Sequence, residues 1–411
     1  MRQTCVRVWC ACVILGVGLT FSAGLSAQTE KVLYSFTKGL DGGFPYGGLV
    51  SDGKGNYYGT TFLGGTTNAG VVFELSPTTT GSWAEKVIYN FAGYSNMADG
   101  LQPTSPLIFD AKGNIYGVTE GGGLISPSSG GAGTVFELSP NTDGTWTEKV
   151  LYTFAGGTDA AAPYGEGIVF DNAGNIYGTT YVGGAYGYGA VYELVAGSNG
   201  TWTEKVIYSF RGLNDGATPY GSTLILDAAG NLYGVASGAG AHDYGVVYEL
   251  VHSASGTWTQ RVLHAFTGGD DGASPTGNLL FDSAGNLYGT TTFTAYELVR
   301  GPSGTWTEKT LHRFAGGTDG ATALAGLVFD KAGNLYGTTA NGGVHRGTVY
   351  ELSPDATGTW TERILHRFAS NGVDGYGPQL ATLVIDATGN AFGVTSSGGR
   401  SNGGVIFEIH P

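Results

Sequence analysis

The chain predicts an all-β protein, a seven-bladed β-propeller with four antiparallel strands per blade and the last blade closed by the N-terminal strand. Three observations predict it. One phrase recurs seven times, each recurrence holds four short strand-like runs, and a run of fourth-strand type stands displaced at the N-terminus.

The phrase is DKAGNLYGTT at 330–339, with variants such as DGKGNYYGTT, DNAGNIYGTT and DATGNAFGVT. Its Asn falls at 56, 114, 175, 231, 286, 334 and 390. A period near 55 is too long for a β-helix rung and suits one propeller blade. In the sixth copy Leu327-Val328-Phe329 is a first strand ending at Asp330, and Asn334–Thr339 is a second. A Gly-rich loop leads to a third, Thr348–Leu352, and the turn SPDATG to a fourth, Trp360–Phe368. All are rich in β-branched and aromatic residues and bounded by turn residues, and no stretch shows sustained helical periodicity.

Each part of the phrase has a structural reason. Asp-x-x-Gly-Asn reads as a hairpin turn in which Asp caps backbone N–H groups and Gly takes the left-handed position. The in-strand glycines (Gly59, Gly117, Gly178 and their equivalents) imply close approach of an aromatic ring. Glu74, Glu137, Glu193, Glu249, Glu297, Glu351 and Glu408 on third strands match Lys or Arg on fourth strands, as in Lys86 and Arg363, and predict cross-strand pairs. The Trp that starts most fourth strands is expected to cover a blade edge. His264, His312 and His366 stand where other copies have Tyr and read as aromatic substitutes at a half-buried position.

Closure follows from the ends. EKVLYSF at 30–36 matches a fourth strand, and the last set stops on its third strand at 405–410. Val32–Phe36 is therefore expected to pair antiparallel with Val405–Ile409, removing sheet edges from the ring.

Residues 1–27 have the order of a secretory leader: Arg2 and Arg7, an apolar run from about Val13, then small residues ending at Ala27. The expectation is export to the periplasm or the exterior, residues 28–411 forming one propeller domain with no membrane span. All three cysteines (Cys5, Cys10, Cys12) lie in the leader, so disulfides are excluded as staples. Without the leader, 33 acidic residues face 17 basic ones. That surplus disfavours nucleic acid and anionic lipid as partners. Gly reaches 74 residues, yet aromatics are 12% of the chain, which sets it apart from a disordered Gly-rich polymer. A monomer is expected.

GNLYGTT, the following GTVYEL and the inter-repeat GTWTEKVLY resemble the GloVer tandem repeat, named for Gloeobacter and Verrucomicrobia, over all seven periods. The resemblance implies an exported repeat protein of unassigned biochemical role, often with a C-terminal sorting anchor; the chain ends at Pro411 without a hydrophobic tail. The D-x-x-G-N-x-Y portion also looks like NHL and gluconolactonase-type blades, which include binding modules and metal enzymes. Ser353–Trp360 is similar to a sialidase Asp-box and supports a propeller hairpin.

Candidate sites follow from loop placement. The loops after the fourth strands and the Gly-Gly loops share one face. Asp41, Asp99, Asp159, Asp215, Asp271, Asp319 and Asp374 recur in the former and could ring the channel mouth, attracting a cation such as Ca²⁺. Asp-Gly is also an ordinary turn dipeptide. Function is expected where symmetry fails. Glu120, Glu166 and Arg211 form a candidate catalytic set for a glycosidase or polysaccharide lyase. Tyr186, Tyr188, His242, Asp243, His345 and Arg346 are candidate ligand-binding residues. The sequence favours a binding module for carbohydrate or a cell-envelope protein. The alternatives are an enzyme on polysaccharide or lactone, with or without a divalent cation, and a passive scaffold.

Overall fold

The computed structural model describes residues 29–93, 97–123, 131–165, 167–343 and 346–410. The leader, Glu166 and His345 lie outside them. No α-helix occurs among the described residues. Seven antiparallel sheets span 50–90, 101–153, 169–209, 225–265, 275–313, 328–367 and 384–410, the last completed by Thr29–Ser35. They are blades 1 to 7. In blade 1 the strands are Val50–Ser51, Tyr57–Thr61, Val71–Pro77 and Trp83–Asn90, in that order across the sheet.

The ring closes as expected. Thr29–Ser35 pairs antiparallel with Val405–His410, with Val32 opposite Phe407 and Ser35 opposite Val405. A register shift follows Val32, and the same shift recurs at this point of every other fourth strand. Each outer strand thus carries one bulge, which adds local twist.

The repeated phrase is turn chemistry. Asp110 Oδ1 accepts from the N–H of Lys112 and of Asn114 at 2.8 and 2.9 Å, and its Oδ2 accepts from Asn114 Nδ2. Burial alone would raise this carboxyl, but those donors outweigh it and hold Asp110 below the ordinary range. Gly113 completes the turn at a φ of 87°, a conformation that favours glycine.

The in-strand glycines make room for the third-strand aromatic of their own blade. A Cβ on Gly59 would lie 2.6 Å from Phe73, and one on Gly117 would lie 2.7 Å from Phe136. Those rings are fully buried and pack on the aromatic that follows the preceding blade's fourth strand, as Phe73 does on Phe36. The core is accordingly a set of seven clusters, each lying between two neighbouring blades.

The expected charge pairs stand directly opposite one another on all seven blades. Five reach ion-pair distance, including Lys205–Glu193 at 3.4 Å and the Arg363–Glu351 pair. Lys86 and Lys149 instead donate to the carbonyls of Gly144 and Gly200 in the next blade. The tryptophans seal seams rather than free edges: Trp146 packs on Tyr58, Trp258 on Tyr177 and Trp360 on Tyr288, each a second-strand Tyr of the preceding blade.

Candidate functional site

Two sets of residues break the seven-fold pattern: one at the mouth of the axis, the other between the outer strands.

The axis is nearly filled. A Cβ on either Gly165 or Gly221 would collide with Leu380, so that side chain lies across the centre. The cavity left there is about 170 Å³, and among the described residues Asn278 and Thr382 carry the polar side chains lining it. The loops after the fourth strands and those after the second strands share one face, since Gly43 pairs with Leu63 and Ala217 with Gly238.

On that face, the segment leading into each first strand carries a residue just before the positions that meet on the axis. It is Tyr46 in blade 1, Tyr164 in blade 3 and Tyr220 in blade 4, but Leu324 in blade 6 and Gln379 in blade 7. The residue after the Thr that ends the repeated phrase on each second strand is Phe62 in blade 1, Glu120 in blade 2 and Tyr181 in blade 3. The two sets meet on the blade 1–4 side. Tyr46 lies edge-on to Phe62 at 5.4 Å, Tyr164 stacks on Tyr220 at 5.3 Å, and Tyr181 contacts Tyr220 at 5.9 Å. Burial raises the Glu120 carboxyl, and burial together with the Glu120 charge raises the Tyr46 phenol. Oε2 of Glu120 is buried without a hydrogen-bond partner. The opposite side is smaller and more polar. Arg346 lies over the Tyr376 ring at 4.4 Å, in a 320 Å³ cavity shared with Gln379, Ser396 and Ser397.

Of the expected catalytic residues, Glu120 and Arg211 are described, and they have different surroundings. Glu120 neighbours Tyr46, whereas Arg211 lies over Tyr186 in a cavity of about 620 Å³ lined by Asp215, Trp258 and Gln260. Tyr186 and Tyr188 are exposed at the rim of blade 3, and His242 and Asp243 are exposed on the corresponding loop of blade 4. Of the expected binding residues, Arg346 faces a cavity near the mouth.

The seven aspartates do not ring the mouth. Each accepts a hydrogen bond from the fourth strand just before it, because its short loop folds back on that strand. The Tyr34 hydroxyl donates to Asp41 at 3.0 Å, Tyr89 to Asp99 at 2.8 Å, Tyr152 to Asp159 at 3.1 Å and Tyr208 to Asp215 at 2.7 Å. His264, His312 and His366 take the Tyr position, with Nε2 at 3.2, 3.2 and 3.1 Å from Asp271, Asp319 and Asp374. A loop N–H donates to each Asp as well, as from Ala155 to Asp159. These histidines are thus more than aromatic fillers.

A third member of each seam went unnoticed in the sequence. It is the Glu of the W-T-E-K run in the following blade. Glu85 faces Asp41, Glu148 faces Asp99, Glu204 faces Asp159, Glu308 faces Asp271, Glu362 faces Asp319 and Glu30 faces Asp374. At the seam of blades 3 and 4 it is Gln260, which donates to the Asp215 carbonyl. Burial, then the neighbouring Asp, pushes Glu30, Glu85, Glu148 and Glu204 up to about 7 and Glu362 to about 8. Strand alternation carried the signal: this Glu shares its face with the half-buried Trp two residues earlier, while Thr and Lys point to solvent.

Fold and sites together define a seven-bladed propeller of tandem repeats. The family model of the Gloeobacter/Verrucomicrobia repeat matches residues 124–297. No curated protein matches it by sequence. Among solved structures it is similar to a catalytically inactive virginiamycin B lyase from Staphylococcus aureus with quinupristin. That match has 16% identity and a TM-score of 0.57 over 93% of this chain and 99% of the other. A streptogramin B lyase structure matches at 14% identity and TM-score 0.56 over 93% and 97%. The extracellular domain of a hybrid two component system from B. thetaiotaomicron matches at 13% and 0.55, over 89% of this chain and 40% of that one. At such identities the likeness shows the fold alone.

Proposed function

We propose that this is an exported propeller that binds carbohydrate at the mouth of its axis, on the side built by blades 1 to 4. The observation that carries the reading is the aromatic arc around Glu120. Tyr46, Phe62, Tyr164, Tyr181 and Tyr220 offer ring faces of the kind on which sugar rings stack, and Glu120 Oε2 supplies an unused acceptor for a hydroxyl. Few polar groups among aromatic walls is the usual composition of a small-molecule site. The leader-like N-terminus and the extracellular setting of one structural neighbour support export.

A glycan array probed with the purified protein tests the reading. Specific binding that weakens up to about tenfold in Tyr220→Ala supports it, since stacked aromatic contacts contribute on the order of 0.5–1.5 kcal/mol. A blank array from folded protein overturns it. A second reading, catalysis on the same sugar, is favoured by the raised Glu120 carboxyl, which suits a general acid. Product formation by the wild type that disappears in Glu120→Gln would support it, and binding without turnover would remove it.

A further inference from the structure

The seven seams present the same three positions with two chemistries. Where the first position is Tyr, burial and the neighbouring carboxylates hold the phenol in its protonated form, spending its hydrogen on Asp. Where it is His, a neutral ring can offer a nitrogen lone pair instead.

The seam between blades 6 and 7 carries this furthest. One donor atom from each of Glu30, His366 and Asp374 lies within 4.8 Å of the other two, and His366 Nε2 is 3.1 Å from Asp374 Oδ2. Asp374 is only 6% exposed. Its Oδ1 and Glu30 Oε1 are both buried without a hydrogen-bond partner. Two carboxylates with orphaned oxygens beside an imidazole form a donor set short of positive charge.

We propose that Glu30, His366 and Asp374 bind a divalent transition cation of the zinc class, which ties the N-terminal strand to blade 6. One imidazole and two carboxylates suit such an ion. Calcium, which takes six to eight oxygens, is poorly served by three donors of which one is nitrogen. A cavity of about 640 Å³ adjoins Glu30, lined also by Tyr34, Val373 and Arg400. It gives solvent access to the Glu30 side of the cluster, as a metal site requires. The other histidine seams are less suited. His312, Asp319 and Glu362 cluster in the same way, but Arg367 adds positive charge beside Glu362. At His264, the carboxylate of Glu308 already accepts from Thr310 at 2.9 Å.

The protein supplies its own control substitutions. His366→Tyr installs the residue found at four other seams, and Glu30→Gln copies Gln260. Purified protein is stripped with chelator and titrated with zinc chloride by calorimetry, with thermal unfolding in parallel. The expected result is saturable binding by the wild type, and loss of one equivalent, or at least a tenfold weakening, in both variants. Both variants should melt close to the wild type in chelator, and the zinc-dependent rise in Tm should be lost. Unchanged stoichiometry, affinity and Tm response in both variants overturns the proposal, as does a folded wild type with no saturable binding.

Discussion

The seams from blade 7 round to blade 4 and those from blade 4 round to blade 7 differ at one position. In the first arc Tyr34, Tyr89, Tyr152 and Tyr208 hold the loop Asp; in the second, His264, His312 and His366 do so at nearly the same distance. The clamp is conserved in geometry and changed in chemistry. A repeat protein can vary a residue freely where its neighbours ask only for one hydrogen-bond donor, and a new property can appear there without any cost to the fold. The mouth makes the same point, with aromatics on the blade 1–4 side and Arg346, Gln379 and serines opposite.

The largest effect is expected from removing the clamp itself. Asp159→Ala in a tyrosine seam strands the Tyr152 hydroxyl and the Ala155 N–H, for a loss of about 2 kcal/mol in denaturant unfolding. Asp271→Ala should cost a similar amount if the two arcs share one clamp. A much smaller cost at Asp271 would mean that histidine seams are held by something else.

The next effect concerns pH and is tested in the tyrosine arc. Glu85, Glu148 and Glu204 rise from 4.5 to about 7 on folding. Between those values the folded state holds a proton that the unfolded state has released. Their contribution is therefore complete below about pH 4.5, declines as pH rises to 7, and stays at its lower level above that. Glu→Gln at the three positions should leave Tm unchanged near pH 4.5, raise it at pH 8 and flatten the profile between. Gln260 already does this in the fourth tyrosine seam. A triple variant with the wild-type pH profile would show that these carboxyls titrate normally.

The smallest effect is a control. Lys205→Ala removes a cross-strand ion pair whose lysine is well exposed, at a cost of no more than about 0.5 kcal/mol. Arg261→Ala, in the other arc, should match it. Unequal costs would place a difference between the arcs outside the seams.

What the sequence revealed was whatever a repeat states about itself. The Asp110 turn, the glycine beneath Phe136, the register of Glu193 against Lys205 and the pairing of Val32 with Phe407 are all contacts within one sheet, and spacing alone implies them. What it hid lies between sheets. Nothing along the chain shows that Glu30 meets Asp374, because that contact depends on how two outer strands cross. Tyr164 and Tyr220 were equally silent, since their importance comes from reaching the rim beside an axis that Leu380 fills. Comparing the seven segments that lead into the first strands would have exposed them.

The partners in the closing sheet are made at opposite times. Thr29–Ser35 precedes every other described strand in synthesis, and Val405–His410 follows every other. At roughly 5–20 residues per second, the early strand waits tens of seconds for the edge it completes. Closing so long a loop is entropically slow to begin. Until then the seventh blade lacks its outer strand, and an unpaired strand is available to another chain. Partly made molecules of this protein should therefore be the ones that chaperones must shield, and exchange of the first strand between two of them is the misassembly the fold invites.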